Sequence, residues 1–326
     1  MTINLEINDM KNKKIPIRII YYNDKNPLTT TGGVQTFARG LKSIFDRVEY
    51  MTPKNLDLEY ILRERIPVIC TNEMVSDIPE NIPVIGFQHG VGAIKYLATK
   101  SSGHRKLKKA QMKASKRENI IWIACADWIA STFKELYGNQ TKHVIYHQID
   151  TETFDGKLEN DNSCLILHDA RTRHKGSTLL PIIETAFPEW NFESLNCQPE
   201  DVPERMRKAK AFIHLSKYEG NSIVCNEAMA MNLPCMFTNV GLMKDENRPK
   251  EVYLLDLNKI YKSYFGIKII NKMELIHQTG LFIKSLNNND YNPRKWVLEN
   301  AVASISNKKW EKTILDFQEL SGWSLL

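Results

Sequence analysis

"AFIHLSKYEGNSIVCNEAMAMNLPCMFTN", residues 211–239, reads as a strand, a polar turn, a short apolar-rich helix and a second strand. "AFIHLS" and "PCMFTN" are short apolar runs bounded by turn residues, the pattern of buried strands. Glu219 then leaves the carboxyl end of the first strand, and the backbone N–H groups around Asn221, Ser222 and Ile223 begin the helix. Those first N–H groups have no partner within the helix and the helix dipole stands behind them, so the turn is a ready site for an anion such as a diphosphate. Gly220 lets the backbone come close.

Glu219 and Glu227 stand eight positions apart. Were the segment helical throughout, they would be separated by about 12 Å along its axis, at ~1.5 Å per residue. That is of the order of a nucleotide sugar, with a sugar hydroxyl at one end and a ribose at the other. Carboxylates accept hydroxyl donors well, although two glutamates at this spacing are common in soluble proteins and mean little alone.

Outward from this segment, short β-branched or aromatic runs alternate with helical patterns, the signature of βαβ units and a mainly parallel sheet. "IPIRIIYYN" (15–23), "VEYM", "PVICTN", "PVIGFQ", "NIIWIACA" and "KHVIYHQI" read as strands, with helices in "GGVQTFARGLKSIF", "LEYILRER" and "DWIASTFKELYG". Asp127 is the expected N-cap of the last of these and Gly138 its stop. The series restarts with "SCLILHDA" at 163 and runs through "NFESLN" and "AFIHLS" to "PCMFTN". Two successive series predict two Rossmann-like domains joined near residues 147 to 160, with ligands at the carboxyl ends of the strands and a cleft where the domains face each other. The segment "NPRKWVLENAVASISNKKWEKTILDFQEL" is helical in pattern and is expected to lie across both domains.

The composition of the 326 residues, 42% hydrophobic and 25% charged, is that of a soluble globular protein, without repeats or low-complexity tracts. The longest apolar runs, such as "IIWIACA", fall far below the ~18 residues of a membrane span, and "MTINLEINDMKNKK" lacks the apolar core of a signal peptide. A cytoplasmic protein is expected. The six cysteines are scattered, with no C-x-x-C pair and no histidines at metal-ligand spacing, and read as reduced and structural. Net charge is +6, but Lys100 to Arg117 holds eight Lys/Arg and no acid, so the rest of the chain nets −2. This segment reads as a solvated helix face, as a landing patch for an anionic membrane surface, or as a nucleic-acid footprint, the last disfavoured by the absence of interleaved aromatics.

"KYEGNSIVCNEAMAMNLPC" resembles the donor-site signature of retaining glycosyltransferases of family four, the glycosyl transferases group 1. "TGGVQTFARGL" at 31–41 is similar to that family's N-terminal Gly-Gly loop, and "DARTRHKGSTLLPIIETAFPEW" at 169–190 to its Gly-Arg…Lys-Gly segment. "VIYHQIDTETF" resembles its inter-domain stretch, with His147 and Gln148 in place of Asn and Gly. The resemblance implies an α/β GT-B fold, two Rossmann-like domains facing across a cleft. The N-terminal acceptor domain would span 1–147, the donor domain 148–300, and a C-terminal helix, 301–326, would cross back.

It also implies a hexosyl- or pentosyltransferase that moves a sugar from a nucleotide-sugar donor to an acceptor hydroxyl with retention of configuration. Glu227 would bind the ribose, and Glu219, Gly220, Asn221, Ser222 and Ile223 the sugar and phosphates. Lys175 with Arg171 or Arg173 would stabilise the leaving diphosphate, Gly32 and Gly33 would approach the donor phosphate and acceptor, and His89 would contact the sugar and phosphate. No cofactor is expected, and no metal, since no Asp-x-Asp triplet is present and fixed cations can replace a divalent ion. Open alternatives are a DNA-modifying glycosyltransferase acting on hydroxylated bases, a sugar-nucleotide epimerase of the same fold, and a non-catalytic nucleic-acid or membrane-binding protein.

Overall fold

The computed structural model describes residues 14–30, 32–159, 164–264, 267–287 and 291–325. Most of the stretch read for a signal peptide therefore lies outside the described residues. The chain divides into two compact units, one of residues 1–148 with 300–326 and one of residues 149–299.

The first unit contains strands β1 (Ile15–Tyr22), β2 (Phe45–Met51), β3 (Val68–Thr71), β4 (Val84–Gln88), β5 (Ile120–Ala124) and β6 (His143–Val144). They form a parallel sheet in the order β2-β1-β3-β4-β5-β6. Every residue of β3 and β4 is buried, as both faces of a helix-covered parallel sheet demand. Ile20, Val68, Val84 and Trp122 lie in one apolar cluster of this unit.

Its helices include α1 (Gly33–Ile44), α2 (Leu58–Glu64), α3 (Gly92–Thr99), α4 (Ser102–Ala114) and α5 (Asp127–Tyr137). Gly138 ends α5 in the left-handed conformation, φ 73°, as its position predicts. Asp127 is not the cap: Ala126 holds that position without a side-chain bond, and the Asp127 carboxylate accepts from the Tyr146 hydroxyl at 2.6 Å. "KHVIYHQI" pairs as strand over only two residues, so His147 lies beyond the sheet.

In the second unit β7 (Leu165–His168), β8 (Asn191–Ser194), β9 (Ala211–His214), β10 (Cys235–Thr238) and β11 (Tyr253–Leu255) form a parallel sheet in the order β11-β10-β9-β7-β8. Helices α6 (Leu180–Ala186), α7 (Val202–Arg207) and α8 (Ile223–Ala230) connect the strands. Ile166, Ile213, Met236 and Leu255 are buried together. A short helix α9 (Leu257–Ile260) and an antiparallel pair, Tyr261–Tyr264 with Ile267–Ile270, follow; the sequence pattern gave no sign of that pair.

The helical C-terminal pattern is interrupted. After α10 (Lys272–Ser285) it divides into α11 (Arg294–Asn300) and α12 (Ala303–Ser321), and residues 300–326 belong to the first unit. Trp310 of α12 is 1% exposed there and meets Phe45 edge-on. The six cysteines form no disulfide, but Cys164 is exposed and so has no packing role. Among the described residues no helix is long and apolar enough to cross a membrane.

Candidate functional site

The sheet of the second unit runs to one side from β7 to β8 and to the other from β9 to β10, so the strand order reverses between β7 and β9. Chains leaving the carboxyl ends of two such strands diverge and leave a crevice, the general binding place in open α/β sheets. The exit of β7 carries Asp169, Arg171 and Lys175, and the exit of β9 carries Glu219.

These exits are joined by charge. Lys175 Nζ lies 2.6 Å from Glu219 Oε1 and 3.2 Å from Asp169 Oδ2. His214 Nε2 is 3.0 Å from the same Glu219 oxygen, and Arg171 Nε is 2.8 Å from Asp169 Oδ1. The loops are locked by backbone as well, with Lys217 N–H donating to the His174 carbonyl at 2.8 Å. Gly176, at φ 95°, permits this approach: a Cβ there would stand 2.3 Å from Leu215 Cβ.

Burial by itself would raise the Glu219 pKa, but the hydrogen bond and charge of His214, and then Lys175, hold it well below the usual carboxylate range. Burial opposes charge on His214 too, yet Cys225 and Glu219 outweigh it and raise its pKa to about 10. For Lys175, burial is overcome by Glu219 and Asp169, and the pKa rises. The group is thus a buried ionic network. Among the described residues nothing bonds to Glu219 Oε2, which leaves that oxygen for a ligand donor.

Helix α8 starts at Ile223, so the stretch from Glu219 to Ser222 is not helical and the 12 Å helical separation of the two glutamates does not hold. Ser222 occupies the N-cap position without bonding the helix through its side chain, so the first-turn N–H groups are not covered by it. Asn221 is buried and accepts from Asn226 Nδ2 at 2.9 Å. Gly220 is buried, and its carbonyl accepts from Leu242 N–H at 3.1 Å. Gly241, at φ 60°, packs against this turn, where a Cβ would be 2.8 Å from the Glu219 and Gly220 carbonyl oxygens. Burial pushes the Glu227 carboxyl up to about 7. A small cavity at the helix start is lined by His214, Glu219, Ser222, Cys225, Asn226 and Met243.

Among the residues named from sequence, the structure therefore brings together Arg171, Lys175 and Glu219. Arg173 lies exposed in the 3-10 turn Arg173–Lys175, and among the described residues neither it nor the Glu227 side chain has an ion pair or hydrogen bond into the network. Asp169 and His214 were missed. Both stood inside runs read as strands, "SCLILHDA" and "AFIHLS"; a charged or titratable side chain near the carboxyl end of a buried strand was the available signal.

Gly32, Gly33 and His89 belong to the first unit. Gly32, φ 142°, is the N-cap of α1 and Gly33 its first residue, both exposed. His89 follows β4, its N–H donating to Asn72 Oδ1 at 2.9 Å. Its ring packs against Phe37, Phe87 and His147, with centroids at 4.8, 4.6 and 5.3 Å. Burial, and then His147, hold its pKa well below the ordinary value. Gln111 of α4 fastens the following loop, accepting from Gly92 N–H at 2.6 Å and donating to the Gly90 carbonyl at 2.8 Å.

The basic segment is not uniform. Arg117 is 7% exposed and donates to the carbonyls of Val75, Ile78, Pro79 and Ile82, a structural role that corrects its place in a surface patch. The other seven basic residues, from Lys100 to Lys116, are exposed.

Comparison with known proteins completes the picture. Residues 188–260 match the profile of the family described as Glycosyl transferases group 1. No curated protein matches the sequence. A sucrose-phosphate synthase from Thermosynechococcus elongatus is similar in structure, with a TM-score of 0.72 at 12% identity over 93% of this chain and 100% of that one. Anabaena HepE, solved with UDP-glucose, gives 0.65 at 12% identity over 92% and 100%. A glycosyltransferase from Rickettsia africae gives 0.60 at 13% identity over 95% and 100%. This chain thus has the GT-B fold of two parallel α/β sheets and carries, over the strands and helix that hold Glu219 and Glu227, the segment of the glycosyl transferases group 1 family.

Proposed function

We propose that the protein transfers a sugar from a nucleotide-sugar donor to an acceptor hydroxyl, with retention of configuration. The observation that carries this reading is the convergence of Lys175 on Glu219 beside the first turn of α8, where Glu219 and α8, though not Lys175, lie within the stretch that matches the family. The similar HepE structure holds UDP-glucose, which supports a donor of this class.

In this reading the donor diphosphate lies at the N–H groups of Ile223 and its neighbours. An ammonium has three N–H donors, and Asp169 and Glu219 engage two of those on Lys175. The third serves the leaving phosphate, with Arg171 or the exposed Arg173 beside it. Such fixed charges stabilise the departing diphosphate as the glycosidic bond breaks. Glu219 stays ionised and accepts from a sugar hydroxyl through Oε2; Glu227 accepts from the ribose. His89 and the Gly32-Gly33 turn contact the transferred sugar or phosphate, and the acceptor hydroxyl gives its proton to the departing phosphate oxygen. No cofactor or metal takes part in these steps.

The experiment is incubation with a panel of nucleotide sugars, read by released nucleoside diphosphate and by the anomeric configuration of the product. Slow donor hydrolysis supports a transferase. An isomerised sugar points to an epimerase instead, and absence of binding to every donor rejects the reading.

For the basic segment the reading we favour is contact with an anionic lipid surface, because Leu97 and Met112, 58% and 48% exposed, stand in α3 and α4 alongside the seven exposed cations. Apolar side chains among cations suit a lipid interface better than a nucleic acid, which favours stacked aromatics.

A further inference from the structure

Three adjacent strands of the first unit, β4, β5 and β6, release His89, Cys125 and His147 just past their carboxyl ends. The three are 36 and 22 positions apart in sequence, a spacing that no linear ligand motif covers. The parallel sheet nevertheless sets them side by side, and one donor atom from each lies within 4.8 Å of the others. Cys125 is 0% and His147 4% exposed, whereas His89 retains partial exposure, so a small ion would enter from the His89 side.

Two features of the cluster point to a ligand. His89 Nε2 and His147 Nδ1 are buried nitrogens that make no hydrogen bond among the described residues. Buried polar atoms are normally satisfied, so two orphans on neighbouring rings require a reason. Around them stand Phe37 and Phe87, which supply no hydrogen-bonding group.

We propose that His89, Cys125 and His147 form a binding site for a thiophilic divalent transition ion of the zinc type. Imidazole nitrogen and thiolate sulfur are ligands that zinc takes, three protein ligands leave a fourth position open, and the set offers none of the oxygen ligands that magnesium or calcium needs. With Zn–N and Zn–S bonds of about 2.1 and 2.3 Å, tetrahedral ligand atoms stand about 3.4–3.6 Å apart. Since all three atoms lie within 4.8 Å of one another, no separation has to close by more than about 1.4 Å on binding, within reach of small χ rotations. The thiol proton leaves to solvent as the Cys125–metal bond forms. The site shares His89 with the donor contact proposed above, so a metal ion here and a donor contact at His89 exclude each other.

The test uses the full-length protein stripped with a chelator, then titrated with Zn2+ against a chromophoric competitor and, separately, with Co2+. One equivalent of Zn2+ at micromolar affinity or tighter is expected, and the Co2+ form should show a thiolate-to-cobalt charge-transfer band in the near ultraviolet. Cys125→Ser should abolish that band, and His147→Asn should weaken Zn2+ binding by at least about tenfold, both with unchanged circular dichroism. If Cys125→Ser does not fold, His147→Asn together with the wild-type cobalt spectrum decides. Cys164 and Cys197 are the accessible competitors, so a Cys164→Ser/Cys197→Ser background must retain the band. Substoichiometric binding, a band lost in that background, or affinity unchanged in folded His147→Asn overturns the site.

Discussion

Lys175 Nζ and Glu219 Oε1 meet at 2.6 Å although the two residues come from the exits of different strands, 44 positions apart. Asp169 and His214 complete the set, so each cation of this corner is flanked by a carboxylate and Glu219 is flanked by two cations. If this corner holds the donor as proposed, it is preorganised: the carboxylate is charged before a sugar arrives, and the ammonium is oriented before a phosphate does.

Lys175→Met removes the cation that bridges Glu219 and Asp169 and leaves both underneutralised. Transfer should fall by about 10²–10³ in kcat, and stability by about 3 kcal/mol, the lower end for breaking a buried pair. Steady-state kinetics and denaturant unfolding measure the two separately. Unchanged kcat in a folded variant would remove Lys175 from the reaction.

Burial raises the Glu227 carboxyl to about 7, so it is partly protonated at neutral pH. Ribose hydroxyls donate to the ionised form, and donor affinity should therefore weaken as pH falls through 7. The loss is about tenfold between pH 8 and pH 6 for one titrating group. Calorimetry across that range should show the slope in the wild type and a flat profile in Glu227→Gln.

The His214 contribution to stability has a defined pH window. Its folded pKa of about 10 exceeds the unfolded value of about 6.5. The stabilisation is fully present below the unfolded value and is lost as pH rises through the folded one. Glu219, depressed by the same partners, acts in the opposite sense: its contribution is present above the ordinary carboxylate range and disappears in strong acid. The stability gap between wild type and His214→Gln should therefore narrow steadily from pH 7 to pH 10 in urea titrations. A gap that widens contradicts the protonated assignment.

Gly176→Ala meets both a left-handed backbone and a Cβ at 2.3 Å from Leu215 Cβ. A loss of about 2–4 kcal/mol is expected, the sum of backbone strain and overpacking, along with reduced donor affinity because Lys175 is carried on the same turn. Thermal unfolding with and without donor distinguishes the two effects.

If α3 and α4 face an anionic lipid surface, replacing Lys106, Lys109 and Lys113 by Glu should reduce sedimentation with phosphatidylserine vesicles. At about 1 kcal/mol per basic residue, three neutralised contacts lower the partition by more than about 100-fold. Vesicles of neutral lipid should not discriminate. Binding that follows duplex DNA instead, with no lipid dependence, sinks the lipid assignment.

Local chemistry made much of this molecule readable. Alternating apolar runs gave the two parallel sheets, Gly138 the end of its helix, and the Glu-Gly turn before an apolar stretch the open start of α8, because each depends on residues adjacent along the chain. What depended on distant partners was hidden. Asp169 and His214 looked like ordinary strand residues until the β7–β9 reversal set them beside Lys175 and Glu219. Arg117 looked like one more surface cation until the turn between β3 and β4 offered it four carbonyls. The His89, Cys125 and His147 cluster has no linear signature at all, since neighbouring strands of a parallel sheet bring together residues that long crossovers keep apart in sequence.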